Sequence, residues 1–66
     1  MPSTVVRAFN YDPVTHILRV TFVSGMIYDY LDVPEHIYQQ MKGASSKGVF
    51  LNNDIKGKYE FVKIND

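Results

Sequence analysis

The fold is decided by one stretch, Ser24-Gly-Met-Ile-Tyr-Asp-Tyr-Leu-Asp-Val-Pro34, because the chain changes type within it. The Ser24-Gly25 pair is typical of a turn between two strands, and Ile27–Leu31 carries two tyrosines at alternate positions, as in a strand. Pro34 then ends the extended chain and favours the first turn of a helix. The residues before this stretch predict a sheet, and most of those after it predict short helices.

The register of the two strands around this turn follows from one charged side chain. A two-residue Ser-Gly loop would pair Phe22 with Ile27 and would place the Asp29 carboxylate among apolar side chains. A three-residue loop, Ser-Gly-Met, pairs Phe22 with Tyr28 and turns Asp29 to the other face, because a one-residue slip exchanges the faces of a strand. We therefore expect the second register, with one apolar face made by Leu18, Val20, Phe22, Tyr28 and Tyr30.

Two strands are predicted before this stretch. Thr4–Tyr11 is rich in β-branched and aromatic residues, and His16–Val23 alternates apolar and polar side chains with a period of two. Between them, Asp12 and Pro13 begin a turn, since the aspartate side chain can accept a hydrogen bond from the turn backbone and proline pre-sets its own φ. The first three strands are therefore expected to form an antiparallel meander.

A first short helix is expected after the meander. Asp32 is predicted to cap its start with the carboxylate, and Gly43 is predicted to end it in the left-handed conformation. The helix is too short to be stable by propensity alone, so it must pack on the sheet. Its apolar stripe consists of Val33, Ile37, Tyr38 and Met41.

A second helix is expected from a Ser46 N-cap to about Lys56, with Gly57 as its stop. Asn52 and Asn53 in its middle are poor helix formers, so irregular or partly 3₁₀ geometry is expected there. Its candidate buried residues are Phe50, Leu51 and Ile55.

These elements define an α+β fold: a three-stranded antiparallel β-meander with two short helices packed on one face. Weak alternation over Tyr59–Ile64 is compatible with a short C-terminal edge strand. The chain has 66 residues, which predicts one domain over residues 1–66 with a small core.

Composition excludes several classes of protein. The chain has no cysteine, so it has neither a disulfide framework nor thiolate zinc sites, which fits a reducing cytoplasm. No apolar run approaches the roughly 20 residues that span a bilayer, and the N-terminus lacks a signal-peptide pattern. The sequence therefore predicts a cytoplasmic protein that does not act at a membrane.

Charge is unevenly distributed although the formal net charge is zero. Residues 1–41 carry two arginines against four acidic residues, and residues 42–66 carry five lysines against three acidic residues. Ordinary solvated lysines are the favoured explanation of this pattern, and a modest anion-facing side on the C-terminal half is the alternative.

No catalytic or metal-binding pattern is present. The two histidines, His16 and His36, lie in different predicted elements without ligand spacing, and the serines have no accompanying base. Gly-rich phosphate loops and dinucleotide fingerprints are also missing. The sequence therefore predicts a non-enzymatic protein that needs no cofactor and no metal.

Two features indicate binding, and each has a structural alternative. Ser46 and Lys47 lie at a predicted helix start, where free N–H groups attract anions, and Lys56 and Lys58 follow in sequence. An ordinary N-cap explains the same pattern. The tyrosines of the Tyr-x-Tyr strand can stack on single-stranded bases, with Tyr30 favoured as the stacking residue if either tyrosine is exposed. Alternatively they pack in the core under the first helix, and the expected register favours this alternative because it places both on the buried face.

Several motifs together resemble the KTSC domain, a small bacterial domain named after the C-terminus of some lysyl-tRNA synthetases. The matching motifs, in chain order, are Ser3-x-Val5-x-x-Ala8-x-x-Tyr11-Asp12, Leu18-x-Val20-x-Phe22-x-x-Gly25, Tyr28-Asp29-Tyr30, Val33-Pro34, Ala44-Ser45-Ser46-Lys47-Gly48 and Ile55-x-Gly57-x-Tyr59. The central Tyr-x-Tyr is the family's marker. The resemblance implies an association with RNA and supplies no catalytic residues.

Two functional hypotheses follow. The first is a module that binds RNA, either tRNA or single-stranded RNA, with Lys47, Lys56 and Lys58 on the phosphates. The second is a module that binds another protein or a second copy of itself through an exposed sheet edge or through the uncovered sheet face. That face is expected to carry Arg19, Thr21, Ile27 and Leu31.

Overall fold

The structure, a computed structural model, describes residues 6–65, and within them it contains one four-stranded sheet and two helical segments. The sheet is antiparallel in the order β1-β2-β3-β4, and the predicted α+β class is confirmed. The predicted start of the first strand at Thr4 lies outside the described residues. The strands are β1 (Val6–Asp12), β2 (Ile17–Phe22), β3 (Ile27–Tyr30) and β4 (Phe61–Lys63).

The β1–β2 connection is the predicted aspartate turn. The Asp12 carboxylate accepts a hydrogen bond from the Val14 amide at 2.9 Å, and this bond is the main reason that the pKa of Asp12 is lowered. The His16 amide donates to the Asp12 carbonyl at 2.8 Å, with His16 at a φ of 60°. The turn thus closes with one residue in the left-handed region.

The β2–β3 hairpin confirms the predicted faces but not the predicted pairing. Val20 lies opposite Tyr28, so the two strands are shifted by two residues from the expected register. The three-residue loop runs over residues 23–25, and the Gly25 amide donates to the Phe22 carbonyl at 2.8 Å. Gly25 has a φ of 97°, so the glycine ends the loop instead of lying at its centre. A two-residue shift leaves every side chain on its predicted face.

Helix α1 (Glu35–Gly43) differs from the prediction at both ends. Asp32 does not cap it: Pro34 is the N-cap residue, no side chain bonds the first turn, and Asp32 has a φ of 56°. This left-handed residue allows the neighbouring Val33 amide to reach the His16 carbonyl at 2.9 Å. Gly43 is also not a left-handed cap, because the chain leaves the helix through an extended Ala44.

Helix α2 (Lys47–Phe50) continues into a π-helical turn (Leu51–Ile55). The predicted N-cap is confirmed, since the Ser46 hydroxyl accepts from the Val49 amide at 3.2 Å. The expected irregularity around the two asparagines is π-helical instead of 3₁₀, and Gly57 ends the segment at a φ of 82° as predicted.

The core lies between one sheet face and the two helical segments. It is formed by side chains from strands β2 and β3 together with residues from each helical segment, so both helices pack on the same face. The short C-terminal strand β4 extends the sheet beyond this covered region. The buried core residues are Leu18, Val20, Tyr30, Val33, Met41, Leu51 and Ile55.

Candidate nucleic-acid interface

Tyr30 is not available for stacking. Its side chain is 1% exposed and forms part of the core. Burial, followed by the nearby Tyr28, raises the pKa of the Tyr30 phenol. The choice of Tyr30 as the stacking residue was therefore wrong, and the alternative, that this tyrosine packs in the core, is confirmed.

The side chains predicted at the start of the second helix are already engaged. The Ser46 hydroxyl caps the helix, and the Lys47 amino group donates to the carbonyls of Ala44 at 2.6 Å and Lys42 at 3.2 Å. Lys47 thereby satisfies carbonyls at the end of α1, which is a common role for a lysine there. Its contact with a phosphate stays a prediction, and these bonds compete with it.

Lys56 and Lys58 lie on the surface on either side of Gly57, at the end of the π-helical turn. Both are exposed, and each lines a depression that also contains aromatic side chains. Lys47 lines neither of these depressions, so the three predicted lysines do not share one depression.

An aromatic cluster lies beside these lysines on the β3–β4 side of the sheet. The rings of Tyr28 and Phe61 are stacked, with their centroids 4.9 Å apart and an interplanar angle of 10°. Phe22 packs edge-on against Tyr28 at 5.2 Å. Phe61 is 53% exposed, whereas Phe22 and Tyr28 are partly buried. The cluster is thus a stack with an exposed end.

Two shallow depressions flank the Tyr28–Phe61 stack. One, of about 210 Å³, is lined by Phe22, Tyr28, Tyr30 and Lys56 together with Ser24 and Met26. The other, of about 450 Å³, is lined by residues 57–61, which include Lys58 and Phe61. Each depression therefore offers an aromatic ring and one lysine.

The surface has a third lysine and one acidic side chain. Lys63 pairs with Tyr28 across β3 and β4, so both side chains lie on the same face. Glu60 lines the larger depression and reduces the positive charge there. We call the surface formed by Phe22, Tyr28, Lys56, Lys58, Phe61 and Lys63 the aromatic–lysine surface.

Sequence reasoning missed Phe61, Phe22 and Lys63 as candidate site residues. Phe61 and Lys63 alternate along β4 as Tyr28 and Tyr30 do along β3, and pairing of the two strands places all four on one face. The signal was present in the sequence, but it required the partner strand to be known.

The opposite sheet face has no helix from the described part of the chain on it. There Arg19 and Asp29 form a cross-strand ion pair, with Nε–Oδ1 at 2.8 Å and Nη2–Oδ2 at 3.1 Å. The Asp29 side chain is 12% exposed and that of Arg19 is 52% exposed. Exposed apolar side chains lie beside this pair, notably Val62 and Ile64.

The remaining candidates for chemistry are dispersed. His16 stacks on Tyr11 at the β1–β2 turn, and His36 is exposed on α1. Within residues 6–65, no group of three histidine or acidic side chains is arranged to hold a metal ion. Over the same range, no helix is long and apolar enough to cross a membrane.

These features define a small α+β module with a surface site of stacked aromatics and lysines on one side of its sheet. The family model of the KTSC domain matches residues 2–59. The chain therefore belongs to the KTSC domain family, as its motifs indicated.

The solved structure of a KTSC domain protein from Yersinia pestis has the same fold. It superposes with a TM-score of 0.85 at 39% sequence identity, covering 91% of this chain and 84% of that one.

Two sequence relatives show the contexts in which the domain occurs. The lysine–tRNA ligase of Nostoc punctiforme is 36% identical over 62 residues, which cover 94% of this chain but 11% of the ligase. A protein of Tsukamurella paurometabola is 32% identical over 62 residues, and the match covers 92% of that protein. The chain thus spans about a tenth of the length of the synthetases it matches and nearly the whole of the smaller relative.

Proposed function

We propose that this chain is a non-enzymatic RNA-binding module that contacts RNA through the aromatic–lysine surface. The observation that carries the proposal is Phe61, which is stacked on Tyr28 and remains 53% exposed. Phe61 lines one lysine-bearing depression and Tyr28 lines the other. Exposed aromatic rings bind bases, and lysines bind the phosphate backbone.

The sequence relatives also support RNA binding. A lysine–tRNA ligase acts on tRNA by its name, and this chain matches a tenth of such an enzyme. A domain carried by a tRNA-handling enzyme and also found in a small protein is suited to a binding role. That the module has no catalytic activity of its own is part of the proposal, and it agrees with the shallow, open depressions of the surface.

The test is a titration of labelled tRNA and labelled single-stranded RNA with the full chain, followed by fluorescence anisotropy. The salt concentration is kept low, at roughly 50 mM, because the affinity of lysine–phosphate contacts falls steeply with salt. We expect binding to both RNAs, and we expect Lys56→Gln with Lys58→Gln to weaken it about tenfold or more.

The matched control is Arg7→Gln with Lys42→Gln, which removes the same charge elsewhere. Arg7 lies on β1, at the opposite edge of the sheet from β4, and Lys42 lies on α1 over the Tyr38 ring. The control should weaken binding far less. Equal losses in the two double variants would show that net charge alone binds RNA, and no binding to either RNA would remove the proposal.

A second candidate function is a protein contact on the opposite sheet face. The observation in its favour is the group of exposed apolar side chains beside the Arg19–Asp29 pair, where Val62 is 50% and Ile64 is 44% exposed. Sedimentation at high protein concentration tests whether a second copy occupies this face. Self-association that Ile64→Lys abolishes while RNA binding is unaffected would support it.

A further inference from the structure

The exposed face of Phe61 determines which form of RNA can use the aromatic–lysine surface. One face of the ring is covered by Tyr28 at 4.9 Å, and Tyr30 approaches at 5.7 Å with an interplanar angle of 47°. A ring with one covered face can be half exposed only if much of its other face is open to solvent. Phe61 is on an edge strand, and no other strand of residues 6–65 lies beyond it.

The geometry points to unpaired nucleotides as the ligand, with the open face of Phe61 as the platform for one base. This inference rests on the proposed function and adds the strand state of the RNA. A base within a duplex has both faces covered by its neighbours, so it cannot stack on a protein ring unless it leaves the helix. An unpaired base can extend the Tyr28–Phe61 stack directly.

The lysines fit the backbone of such a strand. Lys56 lines the depression beside Tyr28, and Lys58 lines the one beside Phe61, so each ring of the stack has a lysine in the depression next to it. A single strand with a base on Phe61 therefore has lysines on the same surface for its phosphates. Base stacking is sequence-tolerant because every base has a π-face, so we expect little preference among the four bases.

The experiment uses Phe61→Trp as a reporter and Phe61→Leu as the test variant. The chain contains no tryptophan, so the new indole is the single tryptophan signal in the protein. The probes are an unstructured single-stranded RNA of about ten nucleotides and the same RNA annealed to its complement. We expect the single strand to quench the tryptophan and to bind at least about tenfold more tightly than the duplex.

Phe61→Leu should bring the two affinities together, because leucine keeps an apolar side chain on β4 and removes the ring. Val62→Ala is the control for damage to the strand: Val62 is adjacent on β4, is exposed on the other face, and should leave the preference for single strands unchanged.

The outcomes separate the inference from the proposed function. Equal affinity for single strand and duplex, lost in the Lys56→Gln with Lys58→Gln variant, would overturn the inference and leave RNA binding intact. A preference for single strands that survives Phe61→Leu would also overturn it, since another residue would be the platform. No binding to either probe would remove both.

Discussion

At the scale of single residues, exposure decides which aromatic side chain can bind a ligand. Tyr30 and Phe61 are cross-strand partners, yet one is 1% and the other 53% exposed. The helices cover β2 and the inner part of β3, whereas β4 extends beyond them. The marker tyrosine Tyr30 is therefore a core residue, and the ring that reaches solvent belongs to a residue outside the motif and outside the matched range of the family model.

Burial also explains the ion pair between Arg19 and Asp29 on the opposite sheet face. The Asp29 carboxylate is mostly buried and receives two hydrogen bonds from one guanidinium, which fixes the geometry of the pair. The half-exposed Arg19 side chain is solvated, and its ion pair with Asp29 raises its pKa. The pair satisfies a charge that the strand register places on the outer face, where an unpaired buried carboxylate would destabilise the fold.

Asp32 provides the first prediction. Its φ of 56° is unfavourable for a side chain with a Cβ atom, and its carboxylate does not cap α1. We expect Asp32→Gly to be neutral or stabilising, and Asp32→Val to lower the free energy of unfolding by about 1–2 kcal/mol, because valine is strained in the left-handed region. Urea unfolding followed by circular dichroism measures both.

The comparison of these two variants distinguishes the left-handed residue from a helix cap. If Asp32 were the cap, glycine would cost a few tenths of a kcal/mol or more, and valine about 1 kcal/mol through the loss of the cap. A clear loss of stability in Asp32→Gly would therefore contradict the structure at this residue.

At the scale of secondary-structure elements, β4 is the element on which the candidate site depends. It is three residues long and each of its side chains is exposed, so few packing contacts hold it. Asn65, which follows β4, adds two hydrogen bonds that hold this part of the chain. Its side chain accepts from the Ile27 amide at 2.9 Å and donates to the Gly25 carbonyl at 3.0 Å. One amide side chain thus joins the C-terminal segment to the β2–β3 loop.

Asn65→Ala is the second prediction. We expect it to increase the exchange rate of the Ile64 amide, which donates to the Ile27 carbonyl, by about three- to tenfold, because each lost hydrogen bond contributes roughly 1 kcal/mol or less at an exposed site. Amide exchange followed by NMR measures this change. The thermal midpoint should move little, because β4 contributes no core residue.

Asn52→Ala is the matched control, since Asn52 is an exposed asparagine in the π-helical turn and lies outside β4. It should leave the exchange of Ile64 unchanged. Protection of the Ile64 amide that is equal in the wild type and in Asn65→Ala would show that the side chain does not hold the strand.

The elements also show how far sequence reasoning reaches. The alternation of side chains between the two faces of a strand predicted the correct faces of β2 and β3, because burying the Asp29 carboxylate among apolar groups would be costly. The predicted pairing was wrong by two residues. Two registers that differ by two residues place every side chain on the same face, so this argument cannot distinguish them. The alternation of apolar and polar residues also placed both helices on one face. Phe61 was missed because the weak alternation over residues 59–64 indicates a strand but does not show which strand it pairs with.

At the scale of the whole molecule, the small core limits stability. The chain has 66 residues, and within residues 6–65 the core contains seven fully buried side chains. The core of a domain this small rarely supplies more than about 3–5 kcal/mol. The sequence has no cysteine for a disulfide, and residues 6–65 contain no cluster that could hold a metal ion. Each buried residue therefore accounts for a large share of the free energy of unfolding.

Leu51→Ala is the third prediction. Leu51 is fully buried at the junction of α2 and the π-helical turn, and its truncation should cost about 2–5 kcal/mol. Because this loss is comparable with the whole stability, we expect the variant to be largely unfolded at room temperature. Circular dichroism and a urea titration measure the effect.

Val49→Ala is the control from the same helix, because Val49 is 41% exposed. Its change in free energy should stay within about 0.5 kcal/mol. A cooperative transition in Leu51→Ala at the wild-type midpoint would contradict the described core.

The strand order has a consequence for the sequence of events during folding. The β1–β2 and β2–β3 pairings join strands that are neighbours in sequence, so they can form early. Phe61 pairs with Tyr30 only when a longer loop, which contains both helices, has closed, and longer loops close more slowly. The meander can therefore form before β4 docks against β3. The ring that we propose as the base platform is then among the last parts of the molecule to be put in place, and until it docks, Tyr28 is left without its stacking partner.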